Sequence, residues 1–113
     1  MIPVIRARAR DHIIRQFRWY LVEQDAANTA FRFVDAVEDS VKGLSLMSHM
    51  GTARRLRNPT LQGLLVWPVK DFEEFLIFYL LRGDTILIIR ILHGKRDINR
   101  ILKGESIEDD AWS

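Results

Sequence analysis

Two apolar runs near the end of the chain constrain its fold more than any other feature. Phe75 to Leu81 is an unbroken stretch of seven apolar residues, and Thr85 to His93 is nearly as apolar, with Arg82, Gly83 and Asp84 between them. Neither run alternates with polar residues. Side chains of a strand project to opposite faces, so Phe75, Ile77, Tyr79 and Leu81 share one face and Leu76, Phe78 and Leu80 the other. The second run divides the same way, Ile86, Ile88, Arg90 and Leu92 against Leu87, Ile89, Ile91 and His93. An antiparallel strand with one wet face reads apolar in and polar out, so these strands require a sheet covered on both sides. Seven residues also fall far short of the roughly 20 that a membrane-crossing helix needs.

The rest of the chain supplies part of that cover. Ile2 to Arg6 is short, alternates and carries a proline near its start, as an edge or terminal strand does. From Ala9 the period changes: Ile13, Phe17, Tyr20 and Leu21 follow at helical spacing through about Gln24. Asp25 is placed to cap a second helix. Its stripe is Ala27, Ala30, Val34, Val37, Val41 and Leu44, with Asp35, Glu38, Asp39 and Lys42 on the opposite side. Ser45 to Pro59 reads as a polar loop, and Leu64 to Val69 as a further strand. Gly83 marks a tight turn between the two long strands, and Asp97 to Leu102 a short amphipathic turn.

The expected architecture is therefore α+β: an N-terminal strand, a two-helix hairpin, a three-stranded antiparallel meander completing a four-stranded sheet, and a short C-terminal helical turn. A chain of 113 residues holds one such domain, read here as residues 1–104 followed by an acidic tail, 105–113. Two helices cover one face of that sheet. The other face asks for the segment around Ile98, Ile101 and Leu102, a second copy, or a partner protein.

Charge is unevenly spread beneath a net of +2. Residues 1–18 carry five arginines against one aspartate, Arg54, Arg55 and Arg57 cluster in the polar loop, and the segment from Glu105 holds four acids. Thirteen of the seventeen basic residues are arginine, which suits bidentate contact with phosphate or carboxylate and which a GC-rich genome would also produce. The absence of cysteine removes thiolate metal sites and thiol chemistry, and it fits a cytoplasmic location. His12 and His49 lack metal-ligand spacing and read as surface residues; no metal and no cofactor is expected.

The string Ile89-Arg90-Ile91-Leu92-His93-Gly94-Lys95-Arg96-Asp97-Ile98, preceded by Leu76-Ile77-Phe78-Tyr79 and Gly83-Asp84, resembles the end of the sheet in the RelE/ParE superfamily of bacterial toxins, the ParE branch in particular. The resemblance runs from the first strand through Met50-Gly51 to the last strand. It departs at Lys95, where the family often has alanine, and at Leu64 and Leu65, where it often has a basic residue. It implies a toxin that inhibits DNA gyrase, is not an enzyme, and is neutralised by a cognate antitoxin, as a homodimer or a heterotetramer with that antitoxin. The alternative within the superfamily is a RelE-like ribosome-dependent endoribonuclease.

Cleaving RNA requires a group to activate the 2′-hydroxyl, a group to protonate the leaving oxygen, and cations around the phosphate. If the chain were a nuclease, His93, Arg90 and Arg96 would carry that chemistry; on the gyrase reading there are no catalytic residues. The candidate target-binding residues are Arg90, His93, Arg96, Arg54, Arg55 and Arg57. The candidate antitoxin-binding residues are Phe75, Ile77, Tyr79, Ile86 and Ile88, on the face that lacks cover. Tyr20 and Tyr79 read as core. His93 either orders the strand end or acts as acid or base. Arg90, a charge in an Ile-rich strand, either pairs with Glu73 or Glu74 or reaches a partner. Arg96 and Asp97 are spaced for a local ion pair, and Arg54, Arg55 and Arg57 either form an anion-binding patch or lie solvated on their loop.

Overall fold

Strands apolar on both faces leave the chain no choice but to cover the sheet twice, and it does so without help. The computed structural model describes residues 1–108 and Trp112. The elements are β1 (Ile2–Ile5), α1 (Ala7–Arg18) continuing into a π-helical turn (Trp19–Glu23), α2 (Ala27–Leu46), β2 (Thr52–Ala53), β3 (Leu65–Val69), β4 (Phe72–Arg82), β5 (Thr85–His93) and α3 (Ile98–Lys103). The α+β class and the helical hairpin stand as expected. The sheet has five strands rather than four, in the order β1-β5-β4-β3-β2. The extra strand comes from the loop read as polar and irregular, where Thr52 and Ala53 pair antiparallel with Val66 and Leu65. Two residues are too few for any periodicity to register.

Strands β3, β4 and β5 form the expected antiparallel meander. Arg82 pairs with Thr85, so Gly83 and Asp84 alone make the turn, and Gly83 takes a φ of +59° that glycine adopts at little cost. β1 lies at the sheet's edge, parallel to β5, with Ile5 level with Ile88. Asp25 does not cap α2. It adopts a left-handed φ of +48° in the link between the helices, and Ala26 holds the cap position without a side-chain bond.

Helices α1 and α2 cover one face. Ala9, Phe33, Val37, Val41 and Leu44 pack on Phe75, Ile77, Tyr79, Ile86 and Ile88. Tyr20, Phe33, Phe72 and Phe75 meet at ring-centroid distances of 5.1 to 6.1 Å, mostly edge to face. Ser40 ties this layer to the β3–β4 turn, donating to the Ala36 carbonyl at 2.7 Å and accepting the Lys70 amide at 2.9 Å.

The second face is covered by the segment between β2 and β3 together with the C-terminal segment. Leu61, Leu64, Ile98 and Leu102 are buried against Phe78, Leu80, Leu87, Ile89 and Leu92, with Leu56, Ile107 and Trp112 packed at the margin. The C-terminal segment was one of the three expected sources of cover; the loop was not foreseen, and neither a second copy nor a partner is needed to bury this face.

Alternation along β5 does not survive in the form read from the sequence. Phe78 pairs with Arg90 and Tyr79 with Ile88, leaving Ile89 as a bulge. The phase shifts by one residue there. Ile86 and Ile88 lie under the helices together with Ile91, whereas Leu92 joins Leu87 and Ile89 on the second face. The expected set Ile86, Ile88, Arg90 and Leu92 is thus divided between two layers.

Candidate functional site

The six residues expected to contact a target fall in three places. Arg90 comes first, because the bulge sets its position and β1 ends level with Ile88, short of it. Its Nε donates to Glu105 Oε1 at 2.8 Å, and its Nη1 lies 3.2 Å from His12 Nε2. Arg6 Nη1 lies 3.0 Å from the same carboxylate as an ion pair without hydrogen-bond alignment, and Arg8 approaches the other oxygen at 3.9 Å. Glu105 is 3% exposed through its side chain. Arg90 therefore pairs neither with Glu73 nor with Glu74. Its partner is the residue read as the first of a tail, which is buried in the body of the domain and which no spacing rule links to Arg90.

His12 does not lie free on the surface, as its sequence context suggested. Burial first, then the nearby Arg90, Arg15 and Arg96 guanidinium groups, lower its pKa from 6.5 to about 4. At neutral pH the ring is uncharged, and Nε2 is free to accept the Arg90 N–H. His49 is exposed, as expected.

His93 and Arg96 form the second place. They share a cavity of about 490 Å³ with Arg15, Gln16, Trp19 and Tyr20 from the first helical segment and with Glu74 and Phe75 from β4. His93 Nδ1 accepts the Lys95 amide at 3.1 Å, the Arg96 amide donates to the His93 carbonyl at 3.0 Å, and the His93 ring stacks edge to face on Phe75 at 5.2 Å. The imidazole orders the turn after β5. The Tyr20 hydroxyl, whose pKa is raised chiefly by burial and further by Glu74, stays protonated here. Asp97 accepts the Arg100 amide at 3.2 Å and so caps α3; it forms no ion pair with Arg96.

Arg54, Arg55 and Arg57 make the third place, on the loop that covers the second face of the sheet and so away from the His93 cavity. Arg54 Nη2 donates to Asn99 Oδ1 at 3.2 Å. Arg55 and Arg57 are exposed.

The five residues expected to bind an antitoxin are all within the chain's own core. Phe75 is 8% exposed, and Ile77, Tyr79, Ile86 and Ile88 are fully buried beneath the helices. The exposed large apolar side chains lie elsewhere, among them Ile14 at 44%, Trp19 at 45%, Val22 at 69% and Phe31 at 59% on the hairpin. Phe31 meets Phe17 edge to face at 5.2 Å across the two helices. Ile13, Phe17, Tyr20 and Leu21 read as one stripe, of which Ile13 and Tyr20 pack on the core whereas Leu21 is exposed; periodicity does not say how much of a helix's apolar stripe faces its own sheet.

Among the described residues no group of three or more acidic or histidine side chains is placed to hold a metal, and no helix is long and apolar enough to cross a membrane.

No curated protein matches the sequence. Among solved structures, the fold matches a chain of a structure described as "Chromosomal ParDE TA system from P. aeruginosa", with a TM-score of 0.66 and 19% identity, over 82% of this chain and 95% of that one. At that identity the likeness speaks for the fold. The sequence model of the family described as "ParE toxin of type II toxin-antitoxin system, parDE" matches residues 4–98, which takes in the second half of β1, the hairpin, the whole meander and the His93 to Asp97 turn. The chain belongs to the ParE toxin family of type II toxin–antitoxin systems.

Proposed function

We propose that this toxin acts by binding DNA gyrase, without catalysing a reaction, and that a cognate antitoxin neutralises it in the cytoplasm. The observation that carries the non-enzymatic reading is that one of the three candidate nuclease groups is already engaged within the chain. Cleavage by His93, Arg90 and Arg96 needs all three around one phosphate. His93 and Arg96 share a cavity, whereas the Arg90 guanidinium is occupied by Glu105. Target contact is assigned to that cavity, where Arg15 and Arg96 offer charge and Trp19 offers an exposed aromatic face.

The antitoxin reading moves from the buried sheet residues to the outer side of the hairpin. Ile14, Trp19 and Phe31 expose apolar surface that a neutralising partner would remove from water. A homodimer or a heterotetramer with the antitoxin would cover the same surface.

Gyrase supercoiling and transcript cleavage during translation, assayed side by side with the purified chain, test the reading. Supercoiling is expected to stop while transcripts stay intact, and Arg96→Ala is expected to relieve the inhibition. Cleavage of transcripts with supercoiling unaffected would overturn it.

A further inference from the structure

We infer that the loop carrying Arg55 and Arg57, together with Lys103 of α3, forms a cleft that binds the phosphodiester backbone of a nucleic acid. The inference does not depend on which protein the toxin targets. It starts from how firmly the loop is held. The Arg54 amide donates to the Leu64 carbonyl at 2.9 Å, so residues 54–64 close on themselves, and Leu61 and Leu64 anchor the loop in the second core. Asn58 then fastens it to the end of α3. Its Nδ2 lies 2.9 Å from the Leu102 carbonyl, 3.2 Å from that of Lys103 and 2.8 Å from that of Glu105. Thr60 adds a bond from its hydroxyl to the Glu105 carbonyl at 2.9 Å. A loop pinned at both ends and in the middle presents its charges in fixed positions.

Those charges are unspent. A cleft of about 400 Å³ lies between loop and helix, lined by Arg55, Arg57, Asn58, Asn99 and Lys103 with Leu56 at its floor. Among the described residues no carboxylate lines it, nor the adjoining cavity of about 490 Å³ that Arg54 and Arg55 also line. Among the described residues, the Arg55, Arg57 and Lys103 side chains form no ion pair or hydrogen bond, while Glu105, the nearest acid along the chain, is spent on Arg6 and Arg90. Like charges held together repel, and an arrangement with no internal counter-charge favours an external anion. Two guanidinium groups with the Asn99 side-chain amide beside them match phosphate oxygens, which accept bidentate N–H donors. Three cations along one cleft match a chain of phosphates better than a single ion, and displaced counterions drive such binding.

The test is fluorescence anisotropy with the purified full chain, titrated onto a short labelled DNA duplex and a single-stranded RNA across a salt series starting at about 50 mM. The Arg55→Ala/Arg57→Ala/Lys103→Ala variant removes three exposed charges, and Arg10→Ala/Arg18→Ala/Lys42→Ala on the hairpin removes the same number elsewhere. The first variant is expected to lose affinity about tenfold or more at low salt and to flatten the slope against log salt by about 2.7 on duplex DNA or 2.1 on single strands, and the second is expected to bind as the parent does. The tighter of the two polymers identifies the source of the backbone. Equal losses in both variants would show diffuse charge and overturn the inference. So would the absence of binding to both polymers at low salt.

Discussion

Tyr79 and Gly51 touch so closely that no β-carbon fits between them. The Gly51 amide donates to the Tyr79 hydroxyl at 2.9 Å, and that hydroxyl donates to the Ser48 carbonyl at 2.8 Å. A side chain on Gly51 would run into the phenol oxygen. One buried ring thus fixes the chain as it leaves α2, just ahead of β2. Gly51→Ala is expected to destabilise the fold by about 1–3 kcal/mol through overpacking. Tyr79→Phe is expected to cost about 1–3 kcal/mol by leaving the amide and carbonyl unpaired. Urea unfolding followed by circular dichroism measures both.

Arg90 and Glu105 predict a role in stability for a residue first seen as a candidate for target contact. Without Arg90 the buried Glu105 carboxylate keeps Arg6 beside it but loses its aligned hydrogen bond, so Arg90→Ala is expected to cost about 1–3 kcal/mol. The loss should appear first as faster amide exchange in residues 98–108, because Glu105 fastens that segment to the sheet. Uniform exchange rates in the variant would contradict this.

His12 predicts how stability depends on pH. Its pKa is about 4 in the folded chain against 6.5 in the unfolded one, so the unfolded state binds more protons between those values. The contribution is therefore complete above pH 6.5 and is lost as pH falls toward 4. Its size is of the order of 1 kcal/mol once partial exposure is discounted. His12→Gln, which keeps an acceptor for Arg90, should flatten the decline in melting temperature over that window.

Phe31 predicts where the antitoxin binds. It is 59% exposed and meets Phe17 edge to face. Phe31→Asp is expected to leave the melting temperature of the isolated toxin nearly unchanged and to weaken the complex by about 2 kcal/mol, roughly thirtyfold in Kd by calorimetry. Full retention of affinity would place the interface elsewhere.

The fold was legible because apolar periodicity reports directly which residues leave water, and both the helices and the meander follow it. What escaped had no such signal. The Ile89 bulge breaks a period that is legible only if unbroken, so alternation puts Leu92 in the wrong layer and points Arg90 away from its partner, Glu105. Asn58 gave no warning that it would bind three carbonyls of a segment over forty residues away. The antitoxin residues differ for another reason: alternation sorts strand residues into two faces without saying which face the helices take, and Phe75, Ile77, Tyr79, Ile86 and Ile88 lie on the face that α1 and α2 cover.

The parallel pairing of β1 with β5 also orders events during synthesis. Ile2 to Ile5 leave the ribosome ahead of the hairpin and the meander, yet their partners are Thr85 to Ile88. At about 5–20 residues per second, several seconds pass before β1 has anything to pair with. Glu105 arrives later still, and until then Arg6 and Arg90 lack their counter-charge. The nascent sheet therefore stays open until β5 and Glu105 have been made, and a partner present during translation meets an incomplete sheet before it meets a finished one.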